Sequence, residues 1–329
     1  MRLGKISESV WKRSVLKPIK KNGMGKAMGV GIDGARLQIP EGMELVAATD
    51  PITTAYENIT SLAIHTVRND IAVTGAAPVA VLVTLLLSED ILESDLQQMM
   101  KELCETCNSC DMEVIGGHSE VTDAVTRPVV VMTGLGLIET ERDLSVRNCR
   151  EGQEIVMTKG IGIEGTAILS YDRENELLNR FSPSFVRQCQ SFLGQISIAE
   201  EAMVAAEYAS ALHDVSEGGL FGALWELGEG SGLGLFVDQK KILVKQETIE
   251  VCELFDINPY TLISGGTLLA ITDHGEELVR KLEERGIAAA VIGQMTKEHA
   301  RMIINGEEHR YLERPKGDTV IRVNRKGDL

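Results

Sequence analysis

Three aspartates in the first half of the chain have the chemistry and the setting of metal ligands. Asp33 lies in the glycine-flanked segment Gly31-Ile32-Asp33-Gly34-Ala35, Asp50 follows a predicted strand, and Asp70 lies late in a predicted helix. Mg²⁺ prefers hard carboxylate oxygens, and a few of them suffice when nucleotide phosphates and water complete the octahedron. The three carboxylates are therefore candidate ligands of a magnesium–nucleotide complex.

Each aspartate, taken singly, also has a structural interpretation. Asp33 would stabilise a glycine turn, Asp50 would end a strand before Pro51, and Asp70 would be an ordinary solvated helix residue. Their order along the chain and the motifs that follow them favour the metal-binding interpretation.

The motif Gly116-Gly117-His118-Ser119 is a candidate phosphate contact. Glycine has no Cβ, so the backbone of this predicted turn could approach a phosphate closely. His118 has two interpretations, which the sequence leaves open. It could contribute a neutral imidazole beside Glu120, or it could cap a strand-to-loop turn.

In the second half, the segment His213-Asp214-Val215-Ser216-Glu217-Gly218-Gly219 precedes an apolar helix predicted over residues 220–227. The spacing of Asp214 and Glu217 predicts a capping-box-like pair with Asp214 as the N-cap. A helix start also offers unpaired N–H groups to an anion, and His213 could act there as acid or base near neutral pH. The two roles can coexist.

Two further motifs receive structural interpretations. Cys104, Cys107 and Cys110 have the spacing C-x-x-C-x-x-C, but they lie at the end of a predicted helix, where positions three apart drift around the surface. We expect apolar thiols there and no metal cluster. Lys26 lies in Asn22-Gly23-Met24-Gly25-Lys26, which is not a P-loop, and we expect a solvated lysine.

Composition restricts the class of partner. The 329 residues are 43% hydrophobic and carry a formal net charge of −16. Phosphate contacts to nucleic acid need clustered Lys and Arg, so a nucleic-acid partner is not expected, and a bound triphosphate would need a divalent cation. No apolar stretch reaches the roughly 20 residues of a membrane helix. We therefore expect a cytoplasmic protein without a membrane partner and with cysteines kept as thiols.

Hydrophobic periodicity predicts two α/β halves, with domains at residues 1–148 and 149–329. The first half has the order β-α-β-α-β-β, which implies helices covering one face of a sheet. The predicted elements of the first half are Glu44–Ala48, Ile59–Thr74, Val79–Leu87, Asp95–Cys110, Glu113–Ile115 and Pro128–Ile138. Those of the second half include Glu154–Thr158, Ser184–Leu193, Ile198–Ala209, Gly219–Glu229, Leu233–Val237, Thr267–Thr272, Gly275–Arg285 and Ala288–Ile292.

Taken in order, the motifs resemble the AIR synthase (PurM)-like ATP-binding superfamily, which includes aminoimidazole ribonucleotide synthetase, selenophosphate synthetase, thiamine-monophosphate kinase and HypE. The resemblance spans nearly the whole chain and is closest to HypE-like, AIR synthase-related proteins. It rests on the motifs given above and on Ala48-Thr49-Asp50, Asn69-Asp70-Ile71-Ala72, Gly75-Ala76-Ala77-Pro78 and Thr158-Lys159-Gly160-Ile161-Gly162-Ile163-Glu164-Gly165-Thr166-Ala167.

The resemblance implies a homodimer whose N-terminal halves build a shared β-barrel, with ATP and Mg²⁺ in a cleft beside it. It implies ATP-dependent phosphorylation of an amide or acyl oxygen, or of a small-molecule acceptor, in a dehydratase, synthetase or kinase type of step. By motif position, the metal residues are Asp33, Asp50 and Asp70, the nucleotide residues are Asn69, Gly116, Gly117, His118, Ser119 and Lys159, and the catalytic residues are His213, Asp214 and Glu217.

The chain departs from the HypE pattern at three places. His118 stands where the kinase and HypE branches usually have an aspartate, and Glu217 stands where HypE often has an arginine. HypE also uses a C-terminal cysteine, whereas the last cysteine here is Cys252. We therefore expect a HypE-like protein with another acceptor, which the sequence does not identify.

Two other classes stay open from the sequence alone. One is a nucleotide-binding maturation or regulatory protein with little turnover, and the other is a dimeric scaffold without nucleotide. Magnesium-dependent ATP binding separates the scaffold from the other two classes, and acceptor-dependent ADP release separates an enzyme from a regulator.

Overall fold

The computed structural model describes residues 1–19, 29–53, 57–315, 320 and 323, so Lys26 lies outside the described residues. The chain divides into two compact units. Unit 1 comprises Met1–Ile71 and Ala76–Arg142, and unit 2 comprises Ala72–Gly75 and Asp143–Leu329. Each unit combines a β-sheet with helices, which confirms the predicted α/β class. Among the described helices, none is both long and apolar enough to cross a lipid bilayer.

Unit 1 is built on a five-stranded sheet with the order β1-β4-β3-β5-β2. Strands β3 and β4 are parallel and are joined by helix α3, whereas the other neighbours are antiparallel. In chain order the elements are β1 (Gly4–Lys5), α1 (Glu8–Val10), a π-helical turn (Trp11–Leu16), β2 (Met43–Ile52), α2 (Ile59–Val73), β3 (Ala77–Leu87), α3 (Glu93–Ser109), β4 (Glu113–Val121) and β5 (Val129–Glu139).

Helix α2 lies close against one face of this sheet because glycines stand beneath it. Val67 and Ile71, four residues apart, are fully buried on the packed side of the helix. A Cβ at Gly136 would collide with Ile71 Cγ2, and a Cβ at Gly134 would lie 2.9 Å from Val67 Cβ. The two glycines of β5 therefore set how closely α2 approaches the sheet.

The other face of the sheet is open and largely apolar. The hydroxyls of Thr49 and Thr133 lie 2.9 Å apart on it, which fixes the side-chain alternation of β2 and β5. Leu82, Val131 and Leu137 belong to this face and are only partly buried. The strands as described end in two edges, β1 and β2, so the shared barrel stays a prediction about two copies of the chain.

Two strands of unit 1, β2 and β4, extend beyond their predicted C-terminal ends. Strand β2 continues past Ala48 through Asp50 and Pro51, and an edge strand tolerates proline because one side of its backbone makes no ladder bonds. Strand β4 continues through Gly116 to Val121, where a turn was predicted. Pairing with β3 overrides the weak strand propensity of the two glycines.

Unit 2 contains a seven-stranded sheet with the order β12-β11-β8-β10-β6-β9-β7. Its strands are β6 (Glu154–Thr158), β7 (Ala209–Val215), β8 (Gly234–Asp238), β9 (Thr267–Thr272), β10 (Ala289–Thr296), β11 (Arg301–Asn305) and β12 (Glu308–Tyr311). Its helices are α4 (Ile163–Asp172), α5 (Glu174–Leu178), α6 (Pro183–Gln190), α7 (Ala199–Ala205), α8 (Gly219–Ser231), α9 (Gln246–Phe255) and α10 (Gly275–Glu283).

The predictions for unit 2 missed three strands. Strand β7 was assigned in part to a helix over Ile198–Ala209, which ends at Ala205, and the hairpin of β11 and β12 was not predicted. Strand β7 carries His213 and Asp214 in its short sequence, so its apolar pattern is weak. It forms because its ladder with β9 satisfies the backbone.

Candidate functional site

Asp50 lies on the edge strand β2, and Asp70 lies on α2, the helix that packs on one face of the same sheet. Asp50 pairs with the buried Met132, so its side chain lies on the face of the sheet that α2 covers. Ile71 packs against Ala48, which is the preceding residue of β2 on that face, and Asp70 directly precedes Ile71. Both aspartates are partly exposed. Two of the predicted metal-ligating residues thus belong to the side of the sheet that α2 covers, and their pairing on one metal ion stays a prediction.

Asp33 lies elsewhere in the single chain. Its segment has no regular secondary structure, and the nearby Ala35 and Leu37 pack with Leu82 on the open face of the sheet. Asp33 itself is exposed. In the described part of the chain, no group of three or more His, Cys, Asp or Glu side chains is placed to hold a metal ion. Metal binding by Asp33, Asp50 and Asp70 therefore stays a proposal, with Asp50 and Asp70 as its central pair.

The glycine motif lies in line with Asp50 across the sheet. Asp50 pairs with Met132, Met132 with Val83, and Val83 with Gly117, which makes one continuous row. Because neighbouring strands are about 4.8 Å apart, the two ends of this row are about 14 Å apart. Asp50 and Gly117 are aligned but not adjacent, so they would contact different parts of a ligand.

Gly117 is required by the strand itself, independently of any ligand. Its φ of 151° and its position against β3 leave no room for a side chain, because a Cβ would collide with the carbonyl oxygen of Val83. At Gly116, a Cβ would lie 2.8 Å from Cδ2 of Leu82, which is the flexible end of a side chain. The register of β3 and β4 shifts just before this pair of glycines. Such irregularities are frequent beside functional sites.

We expect the Gly117→Ala variant to be destabilised by about 2–3 kcal/mol, since the new methyl group meets backbone that cannot rotate away. Gly116→Ala is the matched control and should lose less than about 1 kcal/mol because a leucine methyl can move. Urea denaturation of both variants measures the difference. Equal free energies of unfolding for the two variants would contradict the tight approach of β3 and β4.

The other predicted nucleotide residues of unit 1 differ in accessibility. Asn69 is 3% exposed and Ser119 is 8% exposed, so both are buried. The side chain of His118 is 47% exposed, and its Nε2 lies 3.1 Å from Oε2 of Glu120. His118 lies within β4 and not at a turn, so the capping interpretation is wrong. The paired imidazole and carboxylate are the accessible polar groups of this motif.

In unit 2, the ammonium group of Lys159 is buried and contacts several protein groups, so it is not an exposed cation. Its ammonium group donates to the carbonyl oxygens of Gln195 at 2.8 Å and Ser197 at 2.6 Å, and it pairs with Glu201 at 2.5 Å. These three partners match the three N–H donors of an ammonium group. Burial lowers the pKa of Lys159, and the charge of Glu201 opposes this effect. In this conformation, Lys159 anchors the start of the glycine-rich turn, and its predicted contact with nucleotide stays a prediction.

His213 lies between two carboxylates. It belongs to the face of β7 that packs beneath α8, where the neighbouring Ala211 and Val215 share a buried cluster with Leu220 of the helix. Its Nδ1 lies 3.7 Å from Oδ1 of Asp214, and its Nε2 lies 3.3 Å from Oε2 of Glu226.

The two carboxylates decide the protonation state of His213. Burial disfavours the charged imidazole, but Asp214 and Glu226 outweigh burial and raise the pKa of His213 to about 9. The histidine is therefore a cation at neutral pH, which makes it a proton donor and not a base. Glu226 was not singled out from the sequence. The sequence feature that could have identified Glu226 is its position one residue before Leu227, which is buried on α8. This position becomes informative only once β7 is known to lie beneath α8.

The predicted capping box is wrong. Helix α8 begins at Gly219, and its N-cap is Gly218 in the left-handed conformation, without a side-chain cap. Asp214 is paired within β7, and Glu217 is exposed. A Cβ at Gly219 would lie 2.6 Å from the carbonyl oxygen of Leu262. The helix start is therefore defined by two glycines and their close backbone contacts, a constraint that side-chain spacing did not reveal.

The pKa of His213 predicts a pH dependence of stability. The folded-state pKa of about 9 lies above the ordinary value of 6.5 for an unpaired histidine. The imidazolium, which faces Asp214 and Glu226, therefore stabilises the fold fully below about pH 6.5, and this contribution is lost as the pH rises through 9. We expect a decrease in the free energy of unfolding on the order of 2–3 kcal/mol between pH 6 and pH 10.

Urea titrations of the wild type and of His213→Asn at pH 6, 8 and 10 measure this contribution. The variant keeps a side chain of similar reach but has no titrating group, so the difference between the two proteins isolates the imidazole. Parallel stability curves for the two proteins would show that folding leaves the pKa of His213 unchanged.

The three cysteines of the C-x-x-C-x-x-C motif differ in burial. Cys107 and Cys110 are buried, Cys104 is partly exposed, and these three residues form no disulfide. Burial strongly raises the pKa of Cys107. No metal-binding cluster is found among the described residues.

Comparison with known proteins assigns the family. Residues 31–138 match the family described as AIR synthase related protein, N-terminal domain, and residues 150–305 match its C-terminal domain counterpart. The chain belongs to the AIR synthase-related family. These two matches cover most of both units, so the predicted recognition is confirmed.

Relatives within the AIR synthase-related family carry hydrogenase-maturation names. A putative hydrogenase expression/formation protein of Methanocaldococcus jannaschii is 28% identical over 97% of each chain. The carbamoyl dehydratase HypE of Azotobacter vinelandii is 28% identical over 82% of this chain and 80% of its own. The crystal structure of the hydrogenase maturation protein HypE in complex with ATP has a TM-score of 0.76 at 20% identity and covers 97% of each chain. The chain is thus HypE-like in fold and in its relatives.

Proposed function

We propose that this protein is a HypE-like, ATP-dependent enzyme that uses Mg²⁺-ATP to phosphorylate an amide or acyl oxygen, or a small-molecule acceptor. The proposal is supported by its family, by the carbamoyl dehydratase named among its relatives, and by the ATP complex of a HypE with the same fold. The observation that carries it is that Asp50 and Asp70 are partly exposed on β2 and on α2, the helix that covers the face to which Asp50 belongs.

The residues of unit 1 fit a magnesium–nucleotide complex by their donor chemistry. Asp50 and Asp70 supply hard oxygen ligands, and Asp33 is the third proposed ligand. Bound Mg²⁺ would neutralise charge on the phosphates. This neutralisation matters in a chain with a net charge of −16. Gly116 and Gly117 are proposed to contact the nucleotide through backbone groups, since the space that a Cβ would take at each is filled by β3.

His213 supplies the acid function in this proposal. As an imidazolium it can donate a hydrogen bond to an anionic oxygen of the reactants, such as a phosphoryl oxygen, and Asp214 lies 3.7 Å from Nδ1. Glu217 is exposed and would contact the acceptor only from the helix start. Phosphoryl transfer depends mainly on positioning and charge, so these residues suffice without a protein nucleophile.

The open face of the sheet in unit 1 supports the proposed homodimer. Leu45 is 42% exposed on β2, and the partly buried Leu82, Val131 and Leu137 lie on the same side of the sheet. Apolar faces of this kind mark interaction sites. A second copy presenting the same face would cover it and could close the shared barrel. We further propose domains at residues 1–148 and 149–329, a cytoplasmic location, and no nucleic-acid or membrane partner.

A metabolite screen scored by ADP production, with Mg²⁺ present and absent, tests the function. An acceptor that releases ADP only with Mg²⁺ supports the enzyme. Magnesium-dependent ATP binding without acceptor-dependent ADP release would instead identify a maturation or regulatory protein. A chain that binds no ATP under either condition would refute both and leave a scaffold.

A further inference from the structure

Glu226 lies beside Nε2 of His213, the ring nitrogen through which His213 would donate a hydrogen bond to an acceptor. Asp214 approaches Nδ1 and Glu226 approaches Nε2, so both ring nitrogens face carboxylates in the structure as it stands. An imidazolium has two N–H donors and no others. Glu226, at 3.3 Å from Nε2, is nearer to the ring than Asp214, at 3.7 Å from Nδ1, so a substrate oxygen can take the place beside Nε2 only if Glu226 withdraws.

The two carboxylates differ in their freedom to withdraw. The side chain of Asp214 is 15% exposed and belongs to β7, whose backbone is fixed by its ladder with β9. The side chain of Glu226 is 59% exposed and extends from the surface of α8. Exposed ion pairs are weak because solvent screens them and long side chains lose entropy in forming them. Glu226 is therefore the partner that can leave.

We propose that Glu226 is a positioning residue. While no acceptor is bound, its carboxylate holds the His213 ring through Nε2. When an acceptor binds, Glu226 moves away, and the Nε2–H group donates a hydrogen bond to an anionic or carbonyl oxygen of the acceptor. No covalent bond forms or breaks in this exchange, since one oxygen acceptor replaces another on the same N–H. The inference rests on the proposed function for the identity of the incoming oxygen. The contact of Glu226 with His213 does not depend on it.

The geometry also explains why the carboxylate comes from α8. Leu220 and Leu227 of the helix share the buried cluster that holds Ala211 and Val215 of β7. This packing fixes the helix over the strand, and Glu226 precedes Leu227 at the rim of the contact. The next carboxylate along the helix, Glu229, pairs with Arg301 at 2.8 Å. Among these two glutamates, only Glu226 faces the histidine in the described contacts.

The first test measures the His213 pKa by NMR in the full-length protein without nucleotide. Glu226→Gln should lower that pKa by about one unit, a tenfold loss of proton affinity, because a neutral amide cannot stabilise the imidazolium by charge. Glu229→Gln is the matched control, one turn along the same helix, and should leave the pKa unchanged. An unchanged His213 pKa in Glu226→Gln, or equal shifts in both variants, would overturn the proposal.

A chemical probe gives a second readout of the same contact. Diethylpyrocarbonate modifies neutral imidazole, so at pH 7 the labelling of His213, resolved by peptide mass spectrometry, should be several-fold faster in Glu226→Gln than in the wild type. Glu226→Asp, which restores the charge on a shorter arm, should return part of the protection. Labelling that is equally slow in Glu226→Gln and in the wild type would count against the proposal.

The exchange itself is tested with inorganic phosphate as the oxyanion. Phosphate should shift the His213 resonance in Glu226→Gln at a several-fold lower concentration than in the wild type, because it no longer competes with a carboxylate. Absence of a phosphate-dependent shift in the variant would refute the exchange. None of these experiments uses ATP, so their failure is distinguishable from failure of the proposed function, which the ADP screen reports.

Discussion

The Asp50→Asn/Asp70→Asn double variant is expected to lose magnesium-dependent ATP affinity by roughly 100-fold or more, since even the outer-shell partners of a metal contribute 10–100-fold. Asp50 lies on β2 and Asp70 on α2, the two proposed sources of ligands, and the amides keep the shape but lose the charge that a hard cation needs. Isothermal titration calorimetry with ATP, at fixed and at zero Mg²⁺, measures the affinity.

The control for overall charge is the Asp90→Asn/Asp123→Asn double variant. Both of these aspartates are exposed residues of unit 1, and their replacement removes the same two negative charges. This variant should bind ATP as the wild type does. Circular dichroism and the urea midpoint should be unchanged in both variants because no core volume is removed. ATP affinity that survives in the Asp50→Asn/Asp70→Asn variant would refute the assignment of the site.

The Lys159→Met variant is expected to lose about 3–5 kcal/mol of stability, the cost of leaving one partner of a buried ion pair uncompensated. Glu201 is only 3% exposed, so its carboxylate cannot regain water without local unfolding. Lys159 has a φ of 54°, and methionine has a Cβ as lysine does, so the backbone strain is the same in both proteins. The difference in urea-derived free energy therefore reports the lost charge.

The paired variant Lys159→Met/Glu201→Met separates the ion pair from the packing. Apolar replacement of both partners removes the orphaned charge, so much of the lost stability should return. A double variant as unstable as Lys159→Met would mean that the loss came from packing or from the two carbonyl contacts. An unaffected Lys159→Met single variant would show that the ammonium is free in solution and available to a ligand.

Most of the regular elements were predictable because their patterns are local. Helix α2 was predicted over Ile59–Thr74 and is observed over Ile59–Val73, and strands β6 and β9 have their predicted bounds. In each case the spacing of apolar residues alone indicates a buried face. The errors fall where pairing between strands overrides local composition, as in β4 through Gly116 and in β7 around His213.

The candidate site was predictable in its chemistry but not in its grouping. Asp33, Asp50 and Asp70 were expected to share a site, but Asp50 lies on the face that α2 covers, whereas the Asp33 segment packs on the open face. The expected pair at the helix start was Asp214 with Glu217, yet it is Glu226 of α8 that lies beside His213. These groupings depend on which faces of α2 and α8 meet the sheets, a long-range property that residue spacing within a single element does not encode.

The amino-acid sequence by itself determined the α/β class, the family resemblance and the oxygen-rich chemistry of the site, because motifs and periodicities are properties of neighbouring residues. Only the tertiary structure decided that Lys159 is a buried anchor, that Gly117 is required by the approach of β3, and that His213 is a cation between Asp214 and Glu226. Those roles arise from burial and from charges brought close by folding. Protonation and accessibility respond to such surroundings and not to residue type alone.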